Sequence, residues 1–197
     1  MSLPSINIRY VLMATMLVVA VAGQGALKPT DRFTLRELER EPKLTPRQFG
    51  NLFEYFSYSF SPYVLPAEEF INYRRGDCDD YAILADYVLS RNGYRTRIVR
   101  VVLAGSDIAH AICYVMDNKA YLDYNNRKYA LNLERAGPTL RQIAEKVANA
   151  FEKNWTSATE YTYSYEDGRK RNRFTVVKTD PPDQDPDRLA GEPASRL

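Results

Sequence analysis

Three residue types able to carry out acyl transfer stand in a usable order along this chain. Cys78 lies within Gly76-Asp77-Cys78-Asp79-Asp80, the one histidine is His110, and Asp123 closes the segment Tyr121-Leu122-Asp123. A thiol can attack a carbonyl carbon, an imidazole can carry the proton, and a carboxylate can hold the imidazole in place. A cysteine with a histidine and an acid elsewhere in the sequence is therefore a candidate nucleophilic site. Everything turns on whether the elements that carry them can bring them together.

The residues after Cys78 read as a helix. Tyr81, Leu84, Ala85, Val88 and Leu89 recur at helical spacing, and Asn92-Gly93 supplies the stop. Cys78 then sits at a helix N-terminus, where unpaired amides and the macrodipole favour an anion, here a thiolate. The same amides can hold a developing oxyanion, with the Cys78 amide a natural donor. The second donor is open among Asn51, Tyr58 and an upstream backbone amide. Gly76 is read as the residue that lets the chain turn sharply into the helix. Asp77, Asp79 and Asp80 oppose a thiolate by like charge, so a His110 imidazolium has to outweigh them. Their plainer role is to cap the helix. A third use, as hard oxygen ligands for calcium, falls short of the roughly 6–8 oxygens that ion takes.

His110 and Asp123 fit a hairpin. Residues 108–116 read as one strand, Asp117-Asn118 as the turn and residues 119–124 as the return. In that register Ile112 faces Asp123 and His110 faces Asn125. His110 and Asp123 become diagonal neighbours on one face, roughly 7–8 Å apart at the backbone, which two polar side chains can span. A slip of one residue would put them on opposite faces.

With these elements in place the sequence resembles the transglutaminase-like superfamily of papain-like thiol enzymes, and in particular the bacterial transglutaminase-like cysteine peptidases. The resemblance rests on Tyr73-Arg74-Arg75-Gly76-Asp77-Cys78-Asp79-Asp80-Tyr81-Ala82, Asn92-Gly93-Tyr94-Arg95-Thr96-Arg97, His110-Ala111-Ile112-Cys113-Tyr114-Val115 and Tyr121-Leu122-Asp123. It spans about residues 45–130. It implies Cys78 as nucleophile, His110 as general base and acid, and Asp123 as the residue that orients the imidazole. It also implies an α+β fold with a papain-like core, a nucleophile helix packed on an antiparallel sheet. Where family members often carry a tryptophan near the histidine or the aspartate, this chain has Cys113, Tyr114 and Tyr121.

The remaining features set the context. Strand parity puts Cys113 on the face opposite His110, so Cys113 is read as a small buried hydrophobe and not as a disulfide partner of Cys78. Arg9 followed by an apolar run from Tyr10 to Ala22, ending in Ala20-Val21-Ala22, matches a cleaved export signal, with an uncleaved anchor as the alternative. Residues 23–178 are assigned to the transglutaminase-like domain, and the Pro- and Asp-rich residues 179–197 to a disordered tail. The expected location is the periplasm or the exterior. A net charge of +2 gives no case for nucleic acid.

Fifteen tyrosines are many for this length, clustered at Tyr55, Tyr58, Tyr63 and Tyr73 and again at Tyr161, Tyr163 and Tyr165. They suit a groove for an extended peptide or glycan, but a half-buried sheet suits them slightly better. Further elements are a helix from Thr45-Pro46 to about Ser57, a strand over residues 94–103, a helix marked by Leu140, Ile143, Ala144, Val147 and Phe151, and a hairpin of residues 160–165 and 174–177 turning at Asp167-Gly168. The basic group Arg169, Lys170, Arg171 and Arg173 near that turn is read as a solvated face. The expected activity is a thiol hydrolase acting on a protein or peptide without a cofactor. Transamidation by the same residues, and a non-catalytic peptide- or cell-wall-glycan-binding module, are the alternatives. Cell-envelope association and oligomeric state stay open.

Overall fold

The computed structural model describes residues 27–41, 43–105, 109–127 and 133–179. The expected signal segment at 1–22 and, from residue 180 on, the expected tail lie outside the described residues. Five helices are seen among them: α1 (Leu35–Arg40), α2 (Pro46–Leu52), α3 (Ala67–Tyr73), α4 (Cys78–Arg91) and α5 (Leu140–Ala150). The strands are β1 (Ser57–Tyr58), β2 (Arg75–Gly76), β3 (Thr96–Leu103), β4 (Ala109–Val115), β5 (Ala120–Leu122), β6 (Leu133–Arg135), β7 (Trp155–Ser164) and β8 (Arg169–Val177). The last six form one antiparallel sheet in the order β6-β5-β4-β3-β7-β8, while β1 and β2 form a short parallel pair beside it. The fold is α+β, as expected. Among the described residues no helix is long and apolar enough to cross a membrane.

Alternation along the strands divides the apolar residues between two cores. Ile98, Ala111, Cys113, Val115 and Leu122 face α4 and the N-terminal helices. Val99, Val101, Ile112, Tyr114 and Tyr121 face α5, whose Leu140, Ile143, Ala144 and Val147 form its buried stripe. Each large aliphatic chain fully buried in this way contributes about 1.5–3 kcal/mol, so both faces of the sheet are held. Helix α5 begins at Thr139 with a reciprocal cap to Gln142, and α4 ends at Asn92 with Gly93 at φ +87°.

Two expectations need correction. The helix from Thr45-Pro46 has the expected cap and N-terminal proline but stops at Leu52, short of Ser57. Phe53 and Phe56 turn inward instead, stacking with Phe70 and Tyr81 in an aromatic core, and Ser57 is then free to pair with Arg75. The hairpin expected to turn at Asp167-Gly168, with strands over residues 160–165 and 174–177, has a longer ladder, from Trp155 to Ser164 and from Arg169 to Val177. The basic residues therefore lie on the exposed edge strand β8, where charge discourages pairing with another sheet.

Candidate active site

Cys78 is the first residue of α4, half-buried, behind an Asp77 N-cap. The Asp77 carboxylate accepts the N–H groups of Asp79 and Asp80 at 3.0 and 3.4 Å, and that of Ser61 at 3.1 Å. Asp80 reaches back to the Asp77 N–H at 2.9 Å and accepts the Leu65 N–H at 2.7 Å. This box satisfies the second and third amides of the helix and leaves the first, that of Cys78, without an acceptor among the described residues. Asp77 and Asp80 are thus caps, and they also fasten the 61–65 loop to the helix start.

Gly76 acts differently from expectation. It is extended, paired with Tyr58 in β2, and the sharp turn falls on Arg74 at φ 51°. What demands glycine is space: a Cβ would meet the Asp80 carboxylate at 2.5 Å and the Phe70 ring at 2.6 Å.

The β4–β5 register pairs Cys113 with Leu122 and Tyr114 with Tyr121, the register read from the sequence, although Met116–Asn118 form a 3-10 turn and Lys119 takes a left-handed conformation. His110 and Asp123 are therefore diagonal neighbours, and Nε2 of His110 lies 3.0 Å from Oδ1 of Asp123. Both side chains are buried. Asp123 is held in turn by the Asn125 N–H at 2.8 Å. With Nε2 engaged, the other ring nitrogen is left for Cys78, whose sulfur lies near enough to raise the proton affinity of the imidazole. The three residues named from the sequence meet.

Their meeting depends on where β5 stops. The β4–β5 ladder ends at the Cys113–Leu122 pair, so His110–Ile112 run past their neighbour, and there the first turn of α4 reaches the ring. His110 otherwise belongs to the α5 side of the sheet, its ring packed edge-on against Phe151 at 4.8 Å. Cys113 points away from it as parity requires, into the core beneath α4. Burial pushes the Cys113 thiol well up, which makes it inert.

Burial by itself disfavours the His110 imidazolium. The Asp123 carboxylate and the Cys78 sulfur outweigh it, and His110 is pushed up to about 10. The opposing aspartates are largely compensated. Asp79 receives the Tyr161 hydroxyl at 2.8 Å and the Lys170 ammonium at 2.5 Å. Asp80 is pushed up to about 6, by burial first and against the two amides it accepts. The oxygens of the three aspartates are thus engaged by backbone amides, Tyr161 and Lys170. Among the described residues no group of three or more His, Cys, Asp or Glu converges as a metal site would.

Sequence reasoning missed the residues that join the two arms of the site. Tyr81, three residues after Cys78, packs on Tyr124, one residue after Asp123, with ring centroids 5.3 Å apart. The Tyr124 hydroxyl donates to the Ser57 carbonyl at 2.8 Å, and buried Arg127 donates to the carbonyls of Phe56 at 2.8 Å and Tyr124 at 2.6 Å. The spacing of Tyr124 and Arg127 from Asp123 is a signal, but only the fold shows what they bridge. The first tyrosine cluster is exposed, contrary to the half-buried reading: Tyr55, Tyr58, Tyr63 and Tyr73 are 52–80% accessible and Phe60 75%. The second cluster does pack, with Tyr161 buried and Tyr163 and Tyr165 against its edge.

The profile of the transglutaminase-like domain family matches residues 33–136. No curated protein matches the chain. Among solved structures, calcium-bound LapG of Legionella pneumophila is similar over 63% of this chain and 68% of its own, at 20% identity and a TM-score of 0.42. EGTA-treated LapG of the same organism is similar over 70% and 76%, at 17% identity and a TM-score of 0.42. Likeness at that level is too slight to transfer a metal, a substrate or a residue.

Proposed function

Because the chain belongs to the transglutaminase-like domain family, we propose that it is an exported thiol hydrolase, a peptidase or amidase, using Cys78, His110 and Asp123. One observation carries this reading: a single buried imidazole is hydrogen-bonded to the Asp123 carboxylate, with the Cys78 sulfur near enough to add to its proton affinity. An imidazolium so strongly held keeps its proton at neutral pH and pairs with a thiolate. The thiolate attacks the carbonyl carbon, and the carbonyl π pair moves to oxygen beside the Cys78 amide. Collapse restores the carbonyl and expels the amine, which takes the proton from His110. Water then attacks the thioester, giving its proton to His110. Release of the acid regenerates thiolate and imidazolium. An amine in place of water gives transamidation by the same residues. Export rests on Arg9 and the apolar run to Ala22.

A second reading, a non-catalytic peptide- or glycan-binding module, draws on the exposed aromatics around the nucleophile. Activity-based labelling with a thiol-directed peptide electrophile separates the two. The hydrolase reading expects the label on Cys78 and none on Cys113. Equal labelling of both, or none at neutral pH, favours the module.

A further inference from the structure

We propose that the hydroxyl of Tyr58 is the second donor to the oxyanion formed at Cys78. The inference rests on the thiol-hydrolase reading of the same site and adds a residue to it. A tetrahedral intermediate needs two donors aimed at one oxygen, and the Cys78 amide supplies one. Tyr58 stands between the two arms that build the site. In the β1–β2 pair it is in register with Gly76, two residues before the nucleophile, and Ser59 donates to the Gly76 carbonyl at 2.8 Å. Its ring lies 6.4 Å from that of Tyr124, the residue after Asp123.

The hydroxyl is also available. It makes no hydrogen bond among the described residues, and the residue is 52% exposed, so it can turn to a ligand. Partial burial first, and then the nearby Cys78, Asp77 and Asp79, raise the proton affinity of the phenol, which favours it as a donor. Asn51, the side chain also considered for this role, lies on α2, outside the β1–β2 pair that flanks the nucleophile.

Two reagents separate stabilisation of an oxyanion from activation of the thiol. Acylation of Cys78 by p-nitrophenyl acetate passes through a tetrahedral oxyanion. Alkylation by iodoacetamide is a direct displacement of iodide and forms none. Tyr58→Phe keeps the ring against Tyr124 and removes only the hydroxyl. The expected result is an acylation rate lower by about 10²-fold, the usual cost of one lost oxyanion donor, with the alkylation rate unchanged across pH. Rates that fall together would overturn the proposal, placing Tyr58 in thiolate formation. An acylation rate unchanged in the variant while the wild type acylates at Cys78 would overturn it as well, leaving the hydrolase reading intact. A wild-type Cys78 that acylates no faster than Cys113 would remove the hydrolase reading and the proposal with it.

Discussion

At the scale of single residues, the site concentrates its electrostatics on His110. Its raised proton affinity links the site to stability with a definite sign. The imidazolium is favoured in the folded protein, where it titrates at about 10, over the unfolded chain, at about 6.5. Its contribution is fully present below about pH 6.5 and is lost as pH rises through about 10. Asp123→Asn removes the carboxylate that sustains it and should cost on the order of 2–3 kcal/mol near pH 6. Denaturant melts of wild type and variant should therefore converge as pH approaches 10. A gap that widens with pH would show that Asp123 does not hold a charged ring. Turnover should also fall, since an amide in that place can hold the imidazole in the wrong tautomer.

The elements deliver these residues through close approaches that a sequence pattern expresses only in part. Helix α4 was legible because its apolar stripe, its Asp77 cap and its Asn92-Gly93 stop all agree. The register of the β4–β5 hairpin was legible because parity and turn position fix it, even though the connection takes four residues, Met116 to Lys119, where two were expected. The helices α1 and α3 and the strands β1, β2 and β6 run from two to seven residues, too short for periodicity to declare them. Only α1 carried a readable mark, the Thr34–Glu37 capping box. Gly76 shows the limit well, since its identity was plain but its reason, the Asp80 carboxylate and the Phe70 ring, lay in the fold. Gly76→Ala should accordingly destabilise by about 1–3 kcal/mol through overpacking against Phe70. It should also slow labelling of Cys78 by disturbing the Asp80 half of the cap. A melting temperature equal to that of wild type would mean the space is not as tight as the geometry requires.

Over the whole molecule, the sheet separates two cores, and the site draws residues from both sides of it. Helix α4 presents Cys78 from one side, while His110 belongs to the other, backed by Phe151 at the end of α5. The early stop of β5 lets the two meet past the last rung of the ladder. That juxtaposition was inferred from the order of residue types, but its route was not, because strand ends are set by packing as much as by sequence. The proposed chemistry requires coupling between the two sides. The most direct measurement is the rate of iodoacetamide alkylation at Cys78 against pH, for wild type and His110→Ala. Wild type should react faster than the variant at neutral pH, because the imidazolium stands beside the sulfur. In His110→Ala the rate at neutral pH should drop by about tenfold or more and recover only as pH rises into the ordinary thiol range, about 8.5. Two superimposable curves would show that Cys78 and His110 do not act as a pair, and would contradict the proposed chemistry.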